Sequence, residues 1–150
     1  MSPTKLRVIP YEGWHYRRLW RSTYGTDAGF AAAWQHRLYG PAWTAVLPPD
    51  DAIVACAGVH INHPGLGRAW ALLGPLAARH ILGVTRAART GLATIIADHG
   101  LRRVEALVYE GDVRNLRWAG LFGFHVEHRM KEYGPEGQTA MLLVRFKERA

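Results

Sequence analysis

Between Arg68 and Phe124 the spacing of apolar positions switches repeatedly between strand and helix periods, and the rest of the chain is arranged around that stretch. Arg68-Ala-Trp-Ala-Leu-Leu-Gly-Pro75 is an apolar run of strand length. Ile81, Val84, Ala88, Leu92, Ile95 and Ile96 then recur at helical spacing, with Arg79, Arg86 and Arg89 on the opposite side. Gly100, after His99, stops that helix. A second apolar run covers Val104 to Tyr109, and a short helix leads into Leu121-Phe-Gly-Phe124. The pattern predicts a β-α-β-α unit. A crossover that long favours parallel pairing, because the chain must run back along the sheet before it can re-enter in the same direction. The carboxyl ends of such strands are where open sheets usually bind ligands.

Upstream, Lys5 to Ile9 alternates weakly ahead of Pro10, as a short strand at a sheet margin does. Tyr11 to Trp20 reads as an aromatic, basic helix and Ser22-Thr-Tyr-Gly-Thr26 as a loop. Asp27 is placed to cap a second helix in which Phe30, Trp34 and Leu38 share a face, and Gly40-Pro41 ends it. Trp43 to Leu47 and Ala52 to Ile61 read as a hairpin around Pro48-Pro-Asp-Asp51; the second strand is apolar on both faces and therefore central. A turn over Pro64-Gly-Leu-Gly67 leads into the run at Arg68. Downstream, His125 to Tyr133 and Gln138 to Phe146 read as strands around a Gly134-Pro-Glu-Gly137 turn. The order is β-α-α-β-β-β-α-β-α-β-β.

Composition narrows the function classes. The 150 residues fit one domain, 1–150, long enough for its own core, and no internal repeat divides it. No apolar run approaches the ~20 residues needed to cross a bilayer and no charged-then-apolar leader opens the chain, so a soluble cytoplasmic product with no membrane partner is expected. The lone Cys56 excludes an intramolecular disulfide and reads as a small core residue. Nineteen Lys and Arg against twelve Asp and Glu give +7, which attracts polyanions: nucleic acid, a phosphorylated cofactor or an acidic protein surface. The arginines of the long helix read either as a solvated face or, at Arg79 near the helix start, as an anion site on free backbone N–H groups. Aromatic residues interleaved with arginine suggest base stacking, but their helical spacing favours a packed core. His60 and His63 lack the third ligand that a zinc site needs, and no metal is expected.

The element order resembles the GNAT (Gcn5-related N-acetyltransferase) superfamily over nearly the whole chain. The most specific part is Val108-Tyr-Glu-Gly-Asp112 with Leu116-Arg-Trp118 and Leu121-Phe-Gly-Phe124, similar to the family's strand, asparagine-led helix and Leu-Gly-Phe ending. Trp70-Ala-Leu-Leu-Gly74, Arg79-His80 and Leu116-Arg-Trp118 together are similar to small GNAT-like proteins of tailed bacteriophages, some of them internal virion proteins. The resemblance implies an α/β (α+β) fold with a mixed central sheet of about six to seven strands flanked by helices.

It also implies a site. Acetyl-CoA would lie in a wedge between the strands at Trp70–Leu73 and Val104–Tyr109, its thioester carbonyl on backbone N–H groups of Ala71, Leu72 and Leu73. Its pyrophosphate would lie on the loop over Ala78–Thr85, where glycine lets backbone approach phosphate. That loop supplies Arg79 and Gly83, but its spacing is one residue longer than the family's and its second glycine is absent. Asp112 stands at the family's asparagine, and Ala119 where many members carry the tyrosine that protonates the departing thiolate. Glu105, Glu110 or His60 would serve as general base. The loops Ser22–Thr26 and Tyr133–Gln138 would shape the acceptor site.

The function expected on this resemblance is transfer of an acetyl group from acetyl-CoA to an amine. The missing tyrosine and altered loop keep open a non-catalytic GNAT-like protein that binds a virion or host protein partner, located in a virion. Charge and aromatic content keep open a basic nucleic-acid-binding module.

Overall fold

The computed structural model describes residues 5–27 and 30–148. In chain order the elements are β1 (Arg7–Pro10), α1 (Gly13–Tyr24), α2 (Phe30–Tyr39), β2 (Ala42–Leu47), β3 (Ala52–His63), β4 (Leu66–Leu73), a 3-10 turn (Ala77–His80), α3 (Ile81–His99), β5 (Arg103–Tyr109), α4 (Val113–Gly120), β6 (His125–Met130) and β7 (Ala140–Phe146). The strands form one mixed seven-stranded sheet in the order β1-β2-β3-β4-β5-β7-β6. Consecutive strands up to β4 pair antiparallel, as short connections allow, and β4 and β5 pair parallel across the α3 crossover. β1, ending at Pro10, is the margin strand, where a residue without an N–H costs no ladder bond.

Both faces of the sheet are covered. α3 packs on one face, where Ala88, Leu92 and Ile95 meet Val59, Val104 and Phe122, and Val84 meets Ala45 and Val54. α1 and α2 cover the other, where Tyr11, Tyr16, Leu19 and Ala33 meet Cys56 and Leu72. β3 runs between the two layers and is buried from Val54 through Val59. Cys56 lies in its middle, 3.6 Å from Thr44 Oγ1, which in turn is 2.9 Å from His15 Nδ1. Burial of that polar triple pushes the Cys56 thiol up to about 12 and lowers the His15 imidazole. Among the described residues no helix is long and apolar enough to cross a membrane.

Several boundaries differ from the sequence reading for identifiable reasons. α1 starts at Gly13 and runs through Ser22 and Thr23, whose hydroxyls bond back to carbonyls at Arg18 and Leu19. The stretch from Ser22 to Tyr24 is therefore helix, and the loop begins at Gly25, which takes the left-handed conformation at φ 72°. The turn before β4 is only Pro64-Gly65, with Gly65 at φ 90°, so β3 extends to His63 and β4 begins at Leu66. β6 stops at Met130 and β7 starts at Ala140.

The expected packing face of α2 is wrong. Trp34 and Leu38 are 50% and 78% exposed, and the helix buries Ala33 and His36 instead. His36 stacks on Trp70 and bonds His60, which fixes the helix rotation and turns the larger apolar groups outward. The side chain of Phe30 and residues 28 and 29, which join Asp27 to α2, lie outside the described residues; Asp27 itself pairs with Arg21.

Candidate active site

The parallel junction is incomplete. β4 and β5 pair at Leu66↔Arg103, Gly67↔Val104 and Arg68↔Glu105, and then separate although both strands continue. In an antiparallel pair, successive residues point their N–H and C=O groups to alternate sides. Gly74 N–H donates to Val54 O, so Leu72 and Trp70 also bond towards β3, and Ala69, Ala71 and Leu73 point the other way. On β5 the donation from Glu110 N–H to Thr139 O turns Ala106 and Val108 towards β7, leaving Leu107 and Tyr109 to face β4. Beyond Arg68↔Glu105 neither edge has a strand opposite it.

The space between these edges is a cavity of about 300 Å³, the lower end of the range for small-molecule sites. Ala69 to Leu73 form one wall and Ala106 to Tyr109 the other. Its mouth carries Tyr24 and Tyr109, both exposed, with Asp112 and the half-buried Asn115. Asp112 caps α4 by accepting from Asn115 N–H at 3.3 Å, and the Asn115 amide donates to its second carboxylate oxygen at 2.6 Å. Deeper, the lining is Ala88, Leu92, Ile95, Phe122 and Phe124. Trp118 borders it, with its Nε1–H donating to Thr85 Oγ1 at 3.0 Å.

Of the residues singled out in the sequence, the cavity brings together Ala71, Leu72, Leu73, Asp112 and Ala119. Arg79 is exposed in the 3-10 turn immediately before α3, and Gly83 is in the first turn of that helix. A Cβ on Gly83 would stand 3.1 Å from Leu6 Cδ1, so the absence of a side chain there allows close packing of the chain leading into β1. Neither residue lines the cavity. The three base candidates are elsewhere too. Glu105 pairs with Arg103 at 2.8 Å, and Glu110 pairs with Arg129 at 2.8 Å, which holds its carboxyl below the usual range. His60 is hydrogen-bonded to His36, with its Nε2 2.7 Å from His36 Nδ1. Among the described residues no three His, Cys, Asp or Glu side chains cluster as metal ligands; His63 is held at Pro64 O.

An aromatic and histidine cluster behind the β4 edge was not foreseen. The His36 ring stacks on Trp70 with centroids 3.6 Å apart, Tyr11 and Tyr16 meet Trp70 edge-on, and Trp70 lines the cavity. Burial, then His60, pushes His36 down to about 4, and burial with Arg68 lowers His60. Sequence gave no sign of this, since His36 and His60 are 24 positions apart and meet only when α2 lies on β3. Tyr24 belongs to the Ser22–Thr26 segment expected to shape the acceptor site, and it reaches the cavity from the last turn of α1 instead of from a loop. Asn115 was findable: Asp112 three residues ahead of it is a capping spacing.

No protein-family profile matches the chain, and no curated protein is similar to it in sequence. Solved structures are. A GNAT-family acetyltransferase from Bacillus anthracis is 13% identical and superposes with a TM-score of 0.76 over 99% of this chain and 99% of that one. The ribosomal-protein-S5-alanine acetyltransferase of Vibrio fischeri is 12% identical, with a TM-score of 0.75 over 99% of this chain and 96% of its own. A chain of the NatC complex bound to Gag peptide and CoA is 12% identical, with a TM-score of 0.73 over 96% of this chain and 99% of that one. Identities this low speak to architecture, and the architecture is clear: the chain has the fold of the GNAT acetyltransferases.

Proposed function

We propose that the chain transfers an acyl group from an acyl-coenzyme A thioester to a primary amine. The observation that carries this reading is the pair of unpaired backbone edges facing each other across the cavity. The N–H and C=O groups of an open strand edge are free to pair, and an extended amide-bearing chain entering between the edges supplies partners as a missing strand would. Coenzyme A has such an arm and brings an activated acyl thioester.

The chain's own residues divide the work. Ala71 and Leu73 offer N–H groups to carbonyl oxygens in the gap, and Leu72, packed into the cluster with Cys56, holds that edge in place. Arg79 and the first amides of α3 attract phosphate, helped by a first turn without acidic residues, with Gly83 keeping the turn close to its neighbours. Asp112 fixes Asn115 at the mouth.

A proton must leave the amine and one must reach the departing sulfur. Ala119 has none to give, so the Tyr109 phenol or water takes that part. A thiolate of pKa ~8.5 tolerates a weak donor. The amine proton leaves to solvent, because His60, lowered by burial and Arg68, lies outside the cavity with its Nε2 at His36 Nδ1, and Glu105 and Glu110 are occupied by arginines.

Calorimetric titration with coenzyme A and acetyl-CoA, followed by thiol release with a panel of amines, tests this. Binding with release is expected, and Ala119→Tyr should raise the release rate by up to ~10²-fold. No binding of either compound at millimolar concentration rejects the reading. A second reading, a non-catalytic interaction protein of the virion type, draws on Trp14, Trp34 and Leu38 exposed on α1 and α2, with the Arg18 guanidinium over Trp14. It predicts no thiol release from wild type or the Tyr variant. Salt-dependent binding of random DNA would instead favour the nucleic-acid role.

A further inference from the structure

The cavity changes character from mouth to floor. At the mouth stand two phenols, a carboxylate and an amide; at the floor stand Ala88, Leu92, Ile95, Phe122 and Phe124. Ala88, Leu92, Ile95 and Phe122 each keep 7–9% exposure although they belong to the core cluster, because they face a hollow that their neighbours do not fill. α3 starts beyond the carboxyl end of β4 and ends before β5 begins, so stepping from Ala88 to Ile95 moves towards the point where the two strands rejoin at Arg68↔Glu105. Those two turns cover ~10 Å, room for an extended chain of up to about eight carbon–carbon bonds, each of which advances ~1.25 Å along a zigzag.

We propose that this floor is an acyl-chain pocket, and that the thioester taken by the protein carries a saturated acyl group of roughly four to six carbons. The inference rests on the acyl-coenzyme A reading above and names its acyl class. An arm entering from the mouth brings its thioester to the N–H groups of Ala71 and Leu73, and whatever hangs from the carbonyl continues along the floor towards the vertex. An acetyl group ends beside those N–H groups, leaving the apolar hollow without contacts and unattractive to water. A longer chain fills it.

Small residues make the space: Ala69 on the β4 wall and Ala88 on α3. Gly91 makes the wall firm, because a Cβ there would stand 2.4 Å from Trp43 Nε1; its absence lets the Trp43 indole lie against the helix. In the reaction the C–S bond breaks and an amide N–C bond forms. The amine proton is lost to solvent or a base, the thiol gains one, and the product is a fatty amide with a short tail.

The test is calorimetry and thermal melting with coenzyme A and its acetyl, butyryl and hexanoyl thioesters. Each methylene buried on the floor should tighten binding about four-fold, the equivalent of ~0.8 kcal/mol, so butyryl-CoA should bind about fifteen-fold tighter than acetyl-CoA. Ala88→Leu, which fills the floor, should bring the butyryl-to-acetyl ratio close to one; Ala88→Val, a smaller intrusion, serves if the leucine variant does not fold. Equal or falling affinity with chain length, while coenzyme A itself binds, overturns the pocket and leaves the cofactor reading intact. Absence of binding by all four compounds at millimolar concentration overturns both.

Discussion

β5 has two neighbours and treats them differently. Against β7 it pairs along its whole length, from Arg103↔Phe146 to Tyr109↔Ala140. Against β4 it pairs at three positions and then leaves. The closed junction pairs the backbone groups that face it in register and offers no strand edge to another molecule. The open junction keeps donors and acceptors on two facing edges and can hold something else. The lesson concerns position as much as chemistry: a sheet tolerates one open seam in its middle because the junctions on both sides, β3–β4 and β5–β7, are zipped and carry the stability.

Loading the closed side with a charge is the largest test of that division. Val144 is fully buried opposite Glu105 in the β5–β7 ladder. Val144→Asp places an unpaired carboxylate there and should cost roughly 4 kcal/mol or more, enough to unfold the domain in a urea titration. Hydrogen exchange reads the contrast directly. Amides of Ala106 and Val108, which face β7, should exchange at least ~100-fold more slowly than those of Ala71 and Leu73, and coenzyme A should narrow the gap. Uniform protection across both sets would show that the seam is not open in solution.

Acid should loosen the support behind the β4 edge. His36 is depressed to about 4, so the folded protein keeps it neutral while the unfolded chain takes up a proton below ~6.5. The contribution is complete above that pH and is lost as pH falls towards 4, on the order of 2 kcal/mol; His60 and His15, also lowered, act in the same direction. His36→Phe, which keeps the stack on Trp70 without the titration, should flatten that slope in pH-dependent melting. The smallest expected effect is at the entrance. Arg79→Ala should weaken coenzyme A about five-fold at low salt while leaving pantetheine, which lacks the pyrophosphate, unchanged. Equal loss for both would remove Arg79 from the phosphate role.

What could be read from the sequence was whatever repeats locally. The face of α3 is written in Val84, Ala88, Leu92 and Ile95, and its stop in Gly100 at φ 58°, so the crossover and the parallel pair followed. The wedge itself was expected only through the resemblance, because nothing in the residues of β4 and β5 marks where pairing ends. α2 was misread for a related reason. Its periodicity in Trp34 and Leu38 describes a stripe, but a histidine stacked on a distant tryptophan decides which stripe faces inward. Glu105, Glu110 and His60 combine a suitable chemical type with a place on or beside the central strands, and neither reveals that Glu105 and Glu110 are bound to arginines.

Cys56 gives the molecule a built-in chemical clock. It is the only cysteine in the sequence, has no exposed surface, and its thiol is pushed up to about 12. A thiol-directed reagent therefore meets neither access nor thiolate in the folded state, and reaction waits for an opening large enough to part β3 from the layers on both sides of it. The rate of alkylation then counts those openings without any engineered label. A cysteine introduced at the cavity mouth could be tagged in seconds, leaving the native one silent as an internal gauge of whether the tag has disturbed the fold.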